Sequence, residues 1–108
     1  MKQRLLEVYQ TARNMRRNIL LMTYYAKGGH PGGCLSAADI LAVLYKCFMR
    51  IDPRNPAWLE RDYFFLSKGH AVPALYAVLM EMGILRPDEI KDFRTIEGRL
   101  PAYPSCET

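Results

Sequence analysis

The sequence has few cysteines and no long apolar run, and these shortages exclude several classes of protein. The three cysteines, Cys34, Cys47 and Cys106, are odd in number and share no metal-ligand spacing, so neither a disulfide framework nor a zinc site is indicated. No N-terminal stretch has the form of a signal peptide, and no run approaches membrane-spanning length. We therefore expect a cytoplasmic protein with reduced thiols and no membrane contact.

Dense clusters of basic residues are also scarce, although the net charge is +4. The only close group is Arg13, Arg16 and Arg17, and no nucleic-acid-binding motif accompanies it. A solvated helix face explains this group better than a nucleic-acid site, so we expect no nucleic-acid partner. The same charge suits the attraction of phosphorylated small molecules.

Histidine occurs only twice, and both copies lie in glycine-containing stretches. His30 belongs to residues 28–33, GGHPGG, and His70 to residues 67–71, SKGHA. Glycine lets a backbone approach a ligand closely, and Pro31 fixes the φ angle just after the first histidine. Imidazole donates, accepts or carries a proton near neutral pH. The two loops, each followed by a helix signal, are predicted to form two walls of one anion-binding or proton-transfer site.

The apolar pattern predicts a mostly helical chain. Apolar side chains recur at steps of three and four over residues 5–26, which predicts a long helix with one buried stripe. A second helix, expected to begin at the capping-box-like stretch 36–39, is apolar over much of its circumference and should be covered on several sides. Further helices are predicted near Pro73 and Pro87, after a turn-rich linker at 52–56.

A single short strand is predicted from Tyr63 to Leu66, where four apolar residues are bounded by charge and glycine. It runs into the second histidine loop, and the order strand, glycine turn, helix places ligands at the carboxyl end of a parallel sheet. One four-residue strand cannot form a sheet, so the rest of the sheet must come from elsewhere. The chain is therefore expected to be the opening part of a larger α/β domain.

Each histidine has two interpretations from the residues alone. His70 is equally well explained as a buried histidine bonded to backbone and as a phosphate ligand, whereas the surroundings of His30 favour a functional role. Glycine N–H groups beside a helix N-terminus bind phosphate, and Ser67 and Lys68 offer side-chain donors at the same place. Neither loop has a dinucleotide or P-loop pattern.

Between about residues 13 and 100 the chain resembles the N-terminal part of transketolase. The matching stretches, which keep the family's order and spacing, are GHPGGCLSAADIL at 29–41, RIDP at 50–53, RD at 61–62 and LSKGHA at 66–71. The resemblance implies a thiamine-diphosphate-binding fold, with a parallel sheet flanked by helices, of which residues 1–108 form an incomplete part. It also implies transfer of a two-carbon ketol unit from a ketose phosphate to an aldose phosphate.

The resemblance also assigns roles to particular residues. The family histidine that matches His30 contacts the sugar and assists proton transfer, so His30 is the implied catalytic and substrate-binding residue. The histidine that matches His70 lies against the cofactor diphosphate, where Ser67, Lys68 and Gly69 are implied to line the same group. These roles agree with a positioned imidazole beside hydroxyls and with donors beside phosphate oxygens.

Several parts of the family's active site lie beyond this sequence. The family's ligands for Mg²⁺ come later than residue 108, so no metal ligand is predicted here. The glutamate that activates thiamine diphosphate comes from a pyrimidine-binding domain across a dimer interface. The implied partners are therefore that domain or C-terminal subunit, in a homo- or hetero-oligomer, and sugar phosphates. The isolated chain is expected to be inactive.

One residue departs from the family pattern and leaves alternatives open. Tyr103 stands where the family has a third active-site histidine. A phenol hydrogen-bonds a sugar hydroxyl but does not carry protons near neutral pH, so Tyr103 is a predicted substrate contact and the donor sugar is open. The alternatives are a related thiamine-dependent transferase with another donor and a truncated, non-catalytic interaction module.

Overall fold

In the computed structural model, residues 2–95, 98 and 100–101 of the 108-residue chain are described. Three α-helices pack against one another: α1 (Lys2–Ala26), α2 (Pro31–Val43) and α3 (Val72–Glu81). A π-helical turn, Leu44–Phe48, continues α2, and two 3-10 helices, Gly69–Ala71 and Pro87–Asp92, lie before and after α3. No helix in this part of the chain is long and apolar enough to cross a membrane.

The long helix predicted at the start of the chain is confirmed as α1. Met15, Ile19 and Met22 are fully buried at steps of four and three, as the periodicity predicts. The stripe is not covered along its whole length, because Leu5 is 63% exposed. The part of α1 that contributes to the core therefore begins near Val8, which packs against it, and Ala12, which is buried.

The start of α2 differs from the prediction. The helix begins at Pro31 rather than near Ser36, with the Cys34 N–H donating to the His30 carbonyl over 3.1 Å. Proline is favoured at the first helical position because its φ is already helical and its missing N–H has no partner to lose there. Ser36 consequently lies inside the helix, where its hydroxyl donates to the Gly33 carbonyl at 2.8 Å.

The second helix is covered on one face instead of several. Ala38 and Ala42 are fully buried against the other helices, whereas Ile40 is 63% exposed and Phe48, in the π-helical turn, is 71% exposed. The helix thus has apolar side chains on several faces, as predicted, but the described residues bury only one of these faces.

The strand predicted from Tyr63 to Leu66 is wrong for the described residues, which have no regular secondary structure there. Within the described ranges, the only β-bridge is the isolated parallel pair of Phe93 and Leu100. A strand requires a neighbour that pairs with its backbone, and the described part of the chain provides none at this position. The segment still has alternating exposure, with Phe64 and Leu66 partly buried and Phe65 86% exposed.

Candidate functional site

The two histidine loops meet, as the sequence predicts. The ring centroids of His30 and His70 lie 5.0 Å apart, and the ring planes are inclined at 75° in an edge-on contact. Both residues are exposed. The alternative of a buried His70 held only by backbone groups is therefore wrong.

The first loop is shaped by its junction with α1. Gly29 has a φ of +129°, a conformation that side chains disfavour, and a Cβ atom there would lie 3.0 Å from the Thr23 methyl group. His30 follows as the N-cap residue of α2, and its side chain makes no capping hydrogen bond. The imidazole is thus free for other contacts, although the backbone on both sides of it is constrained.

The second loop is anchored by the start of α3. The Ala71 N–H donates to the Lys68 carbonyl over 2.9 Å, which closes the 3-10 turn that contains His70. Ala71 and Val72 are fully buried directly after it. His70 is therefore the last exposed side chain before a buried helix, and the helix fixes where the imidazole lies.

A hydrogen bond joins the second loop to α2. The Lys68 ammonium donates to the Ser36 hydroxyl over 3.1 Å. A Cβ atom on Gly33 would lie 3.5 Å from Nε2 of His70 and 4.0 Å from Cε of Lys68, so both side chains lie over the first turn of α2. Of the other predicted residues, Ser67 is exposed and Gly69 is partly buried in the same loop.

Sequence reasoning missed Arg94 and the role of Ser36. A Cβ atom on Gly28 would lie 2.9 Å from a terminal nitrogen of Arg94, so this guanidinium lies against the first loop. Arg94 has a φ of 65° and its N–H donates to the Leu100 carbonyl at 2.9 Å. The paired glycines signalled a close approach, but nothing in the sequence identified the approaching side chain.

The electrostatics of the site favour anions. Lys68 lies close to His70, and Arg94 lies against Gly28 of the first loop, so two positive side chains border the two loops. Such donors suit phosphate oxygens. Burial raises the pKa of the Cys34 thiol, an effect that a backbone hydrogen bond and the charge of Lys68 partly oppose. Cys34 and Cys47 are both free thiols. Within the described ranges, no group of three or more His, Cys, Asp or Glu side chains lies suitably for a metal ion.

A groove with a volume of about 640 Å³, most of whose lining is apolar, includes Ser67 in its wall but neither histidine. We call it the apolar groove, and its walls include Tyr45, Met49, Phe64, Leu66, Leu75 and Leu79. It is formed by the segment in which a strand was predicted together with one face of α3 and the π-helical turn. The site therefore adjoins apolar surface that the described residues leave open.

Tyr103 and Cys106 lie outside the described residues. The chain that leads toward Tyr103 is held by Tyr76, whose hydroxyl donates to the Pro101 carbonyl over 2.7 Å. Tyr76 is fully buried, and its ring makes an edge-on contact with Phe93. Pro101 is thus fixed to α3.

A family model described as "Transketolase, thiamine diphosphate binding domain" matches residues 10–108. The chain is 43% identical to mouse transketolase over 106 residues, which is 95% of this chain and 16% of that protein. It is 41% identical to transketolase 1 of Escherichia coli K12 over 80 residues, which is 73% of this chain and 12% of that protein.

The fold also has a solved counterpart. A transketolase structure from Leishmania mexicana superposes with a TM-score of 0.84 at 33% identity, covering 90% of this chain and 15% of that one. The chain thus spans about one sixth of the length of the proteins that it matches. The likeness covers both histidine loops, since the family match begins at residue 10 and continues through residue 108.

Proposed function

The chain belongs to the transketolase family as part of its thiamine-diphosphate-binding domain, and on this premise we propose the activity to which it contributes. It forms one wall of an active site that transfers a two-carbon ketol unit from a ketose phosphate to an aldose phosphate. The observation that carries the proposal is the edge-on contact of His30 and His70, with Lys68 beside them. This contact places a group that carries protons next to hydrogen-bond donors that suit an anion.

The residues of the second loop fit a diphosphate. His70, Ser67 and Lys68 offer a ring N–H, a hydroxyl and an ammonium group, and all three are exposed in one loop. Charged and neutral donors that converge in this way match the acceptor oxygens of a diphosphate. Gly69 brings its backbone to the same place without a side chain. When bound, thiamine diphosphate supplies the nucleophilic carbon and the electron sink for carbon–carbon bond cleavage.

His30 is the proposed catalytic residue. Its imidazole makes no capping hydrogen bond, is exposed, and lies edge-on to the ring that faces the diphosphate. One ring nitrogen is therefore available to exchange a proton with a sugar hydroxyl, which is the work of a general acid or base. Tyr103 is proposed to bind the same sugar, and its phenol leaves the identity of the donor as the open part of the proposal.

The remaining components are proposed to come from outside the 108 residues. Mg²⁺ accompanies the diphosphate on oxygen ligands contributed by a later part of the domain. A pyrimidine-binding domain, from a second subunit in a homo- or hetero-oligomer, completes the cofactor site. The apolar groove is proposed to be covered by a later part of the domain, and the isolated chain is proposed to be inactive. The free thiols support a cytoplasmic location.

A calorimetric titration with thiamine diphosphate and Mg²⁺ tests this proposal. It is performed on the chain alone and after addition of the missing part of the domain and the pyrimidine-binding domain as separate polypeptides. We expect binding only in the completed assembly, weakened about tenfold by His70→Ala and unchanged by Lys2→Met, an exposed substitution at the far end of α1. Ketose donors are then assayed on the loaded assembly.

The outcomes separate the alternatives. Absence of binding in the completed assembly contradicts the cofactor proposal and favours an interaction module. Binding without ketol transfer from any ketose phosphate favours a related thiamine-dependent transferase with another donor. Binding that is indifferent to His70→Ala contradicts the assignment of this residue to the diphosphate.

A further inference from the structure

Ser36 makes two hydrogen bonds in which its hydroxyl has opposite roles. It donates to the Gly33 carbonyl at 2.8 Å and accepts from the Lys68 ammonium at 3.1 Å. A hydroxyl has one proton, so the bond to Gly33 uses it and leaves only lone pairs to face Lys68. The bond to the Gly33 carbonyl in α2 therefore orients the Ser36 hydroxyl, so that its lone pairs accept the hydrogen bond from Lys68.

This bond determines where an otherwise flexible side chain lies. A free lysine samples many rotamers in water, and ordering it costs side-chain entropy. Held by Ser36, the stem of Lys68 passes within 4.0 Å of the point where a Cβ atom on Gly33 would lie, and Nε2 of His70 is 3.5 Å from that point. The ammonium and the imidazole are thus gathered over one turn of α2.

We infer, on the basis of the proposed function, that Ser36 is a positioning residue that holds Lys68 beside His70 so that both face one diphosphate group. Ser36 itself need not touch the ligand. It lowers the entropy that Lys68 loses on binding, because the lysine is already ordered before the anion arrives. It also connects the second histidine loop to α2, the helix that follows the first loop.

The first experiment examines the position of Lys68 without any ligand. The chain has two histidines, so NMR resolves the ring signals of His70 from those of His30. We expect Ser36→Ala and Lys68→Met to shift the His70 signals in the same direction, and Ser36→Thr to restore them, since threonine keeps the hydroxyl and bonds the same i−3 carbonyl. In a protein that already carries Lys68→Met, Ser36→Ala is expected to cause no further shift of the His70 signals.

The second experiment titrates inorganic pyrophosphate at low ionic strength into assemblies in which each of these proteins is completed by the missing part of the domain and the pyrimidine-binding domain. Lys68→Met is expected to weaken binding about tenfold and Ser36→Ala about threefold, with no effect of Ser36→Ala once Lys68 is gone. Lys46→Met, a lysine outside the two loops, serves as the charge-matched control.

The results distinguish this inference from the proposed function. If the completed assembly with the unchanged chain binds pyrophosphate but Ser36→Ala alters neither its affinity nor the His70 signals, the inference is overturned and the function stands. A lower melting temperature with unmoved His70 signals also overturns it, because it indicates a merely structural bond. If the NMR shifts are as expected but the completed assembly with the unchanged chain binds no pyrophosphate, Lys68 faces no diphosphate, and the inference fails together with the proposed cofactor contact.

Discussion

The two histidine loops and the apolar groove differ in one respect: the loops make their contacts within this chain, whereas the groove is left uncovered by it. At the loops, both partners of each contact are described residues: the ring of His30 contacts that of His70, and Lys68 donates a hydrogen bond to Ser36. At the groove, the walls are apolar and Phe65 is 86% exposed. The site geometry is therefore encoded in this stretch of sequence, whereas the described residues leave the neighbouring surface open.

The difference follows from the kinds of interaction involved. The loops are fixed by helix ends, a glycine with positive φ and short hydrogen bonds, all of which need only the adjoining helices. A sheet needs backbone partners along its whole edge, and no local signal substitutes for them. A fragment of an α/β domain is thus expected to keep the first kind of structure and to lose the second.

The largest effect is expected from Met22→Ala, which removes the fully buried methionine in the last turns of α1, just before the first loop. The cavity and the lost burial should destabilise the fold by about 2–5 kcal/mol, enough to unfold most of a domain with marginal stability. Leu20→Ala, two residues away and 51% exposed, is the matched control and should change stability by less than about 0.5 kcal/mol. Thermal melting followed by circular dichroism measures both, and equal losses would contradict the assigned core.

A smaller effect, with opposite signs at two glycines, is expected within the first loop. Gly29→Ala forces a side chain into positive φ against Thr23 and should cost about 1–3 kcal/mol. Gly32→Ala meets no atom within 4 Å in the first turn of α2 and should stabilise the protein by up to about 1 kcal/mol. Denaturant unfolding gives both values, and a neutral Gly29→Ala would mean that the loop is not held by α1.

Much of the helical fold and of the site was predictable, because its signals are local. The buried stripe of α1 follows from residue spacing, and Gly83 has a φ of 80° just after α3, where a C-terminal glycine is expected. The meeting of His30 and His70 was predictable because each lies in a glycine loop before a helix. In the structure, each loop is followed by a helix, as the sequence pattern predicts.

The remaining features depend on contacts between distant parts of the chain. Lys68 and Ser36 are far apart in sequence, and neither residue signals the other. Arg94 lies against Gly28 only because the segment after α3 returns to the first loop. The start of α2 was predicted too late in the sequence because serine is a common N-cap residue, which favoured Ser36. The helix instead begins at Pro31, since proline is favoured at the first helical position. The predicted strand failed because its pairing partners are not among the described residues.

The smallest effect at neutral pH is expected at Tyr45, which lines the apolar groove and contacts Phe64 edge-on at 6.0 Å. Burial raises the pKa of Tyr45 from 10.0 to about 12. A group whose pKa is raised on folding contributes stability below its unfolded pKa, and this stability is lost as the pH rises from about 10 to about 12.

Tyr45→Phe keeps the ring and removes the ionisable hydroxyl, so it should scarcely change stability at pH 7 and should resist alkaline unfolding better than the unchanged chain. Urea unfolding at pH 7, 10 and 11 measures the difference, and Tyr63→Phe, a half-exposed tyrosine in the same groove, is the control. Equal alkaline losses in all three proteins would mean that the groove is open to water even at Tyr45. A larger Tyr45 effect after addition of the polypeptides used in the calorimetric test would mean that the groove becomes covered.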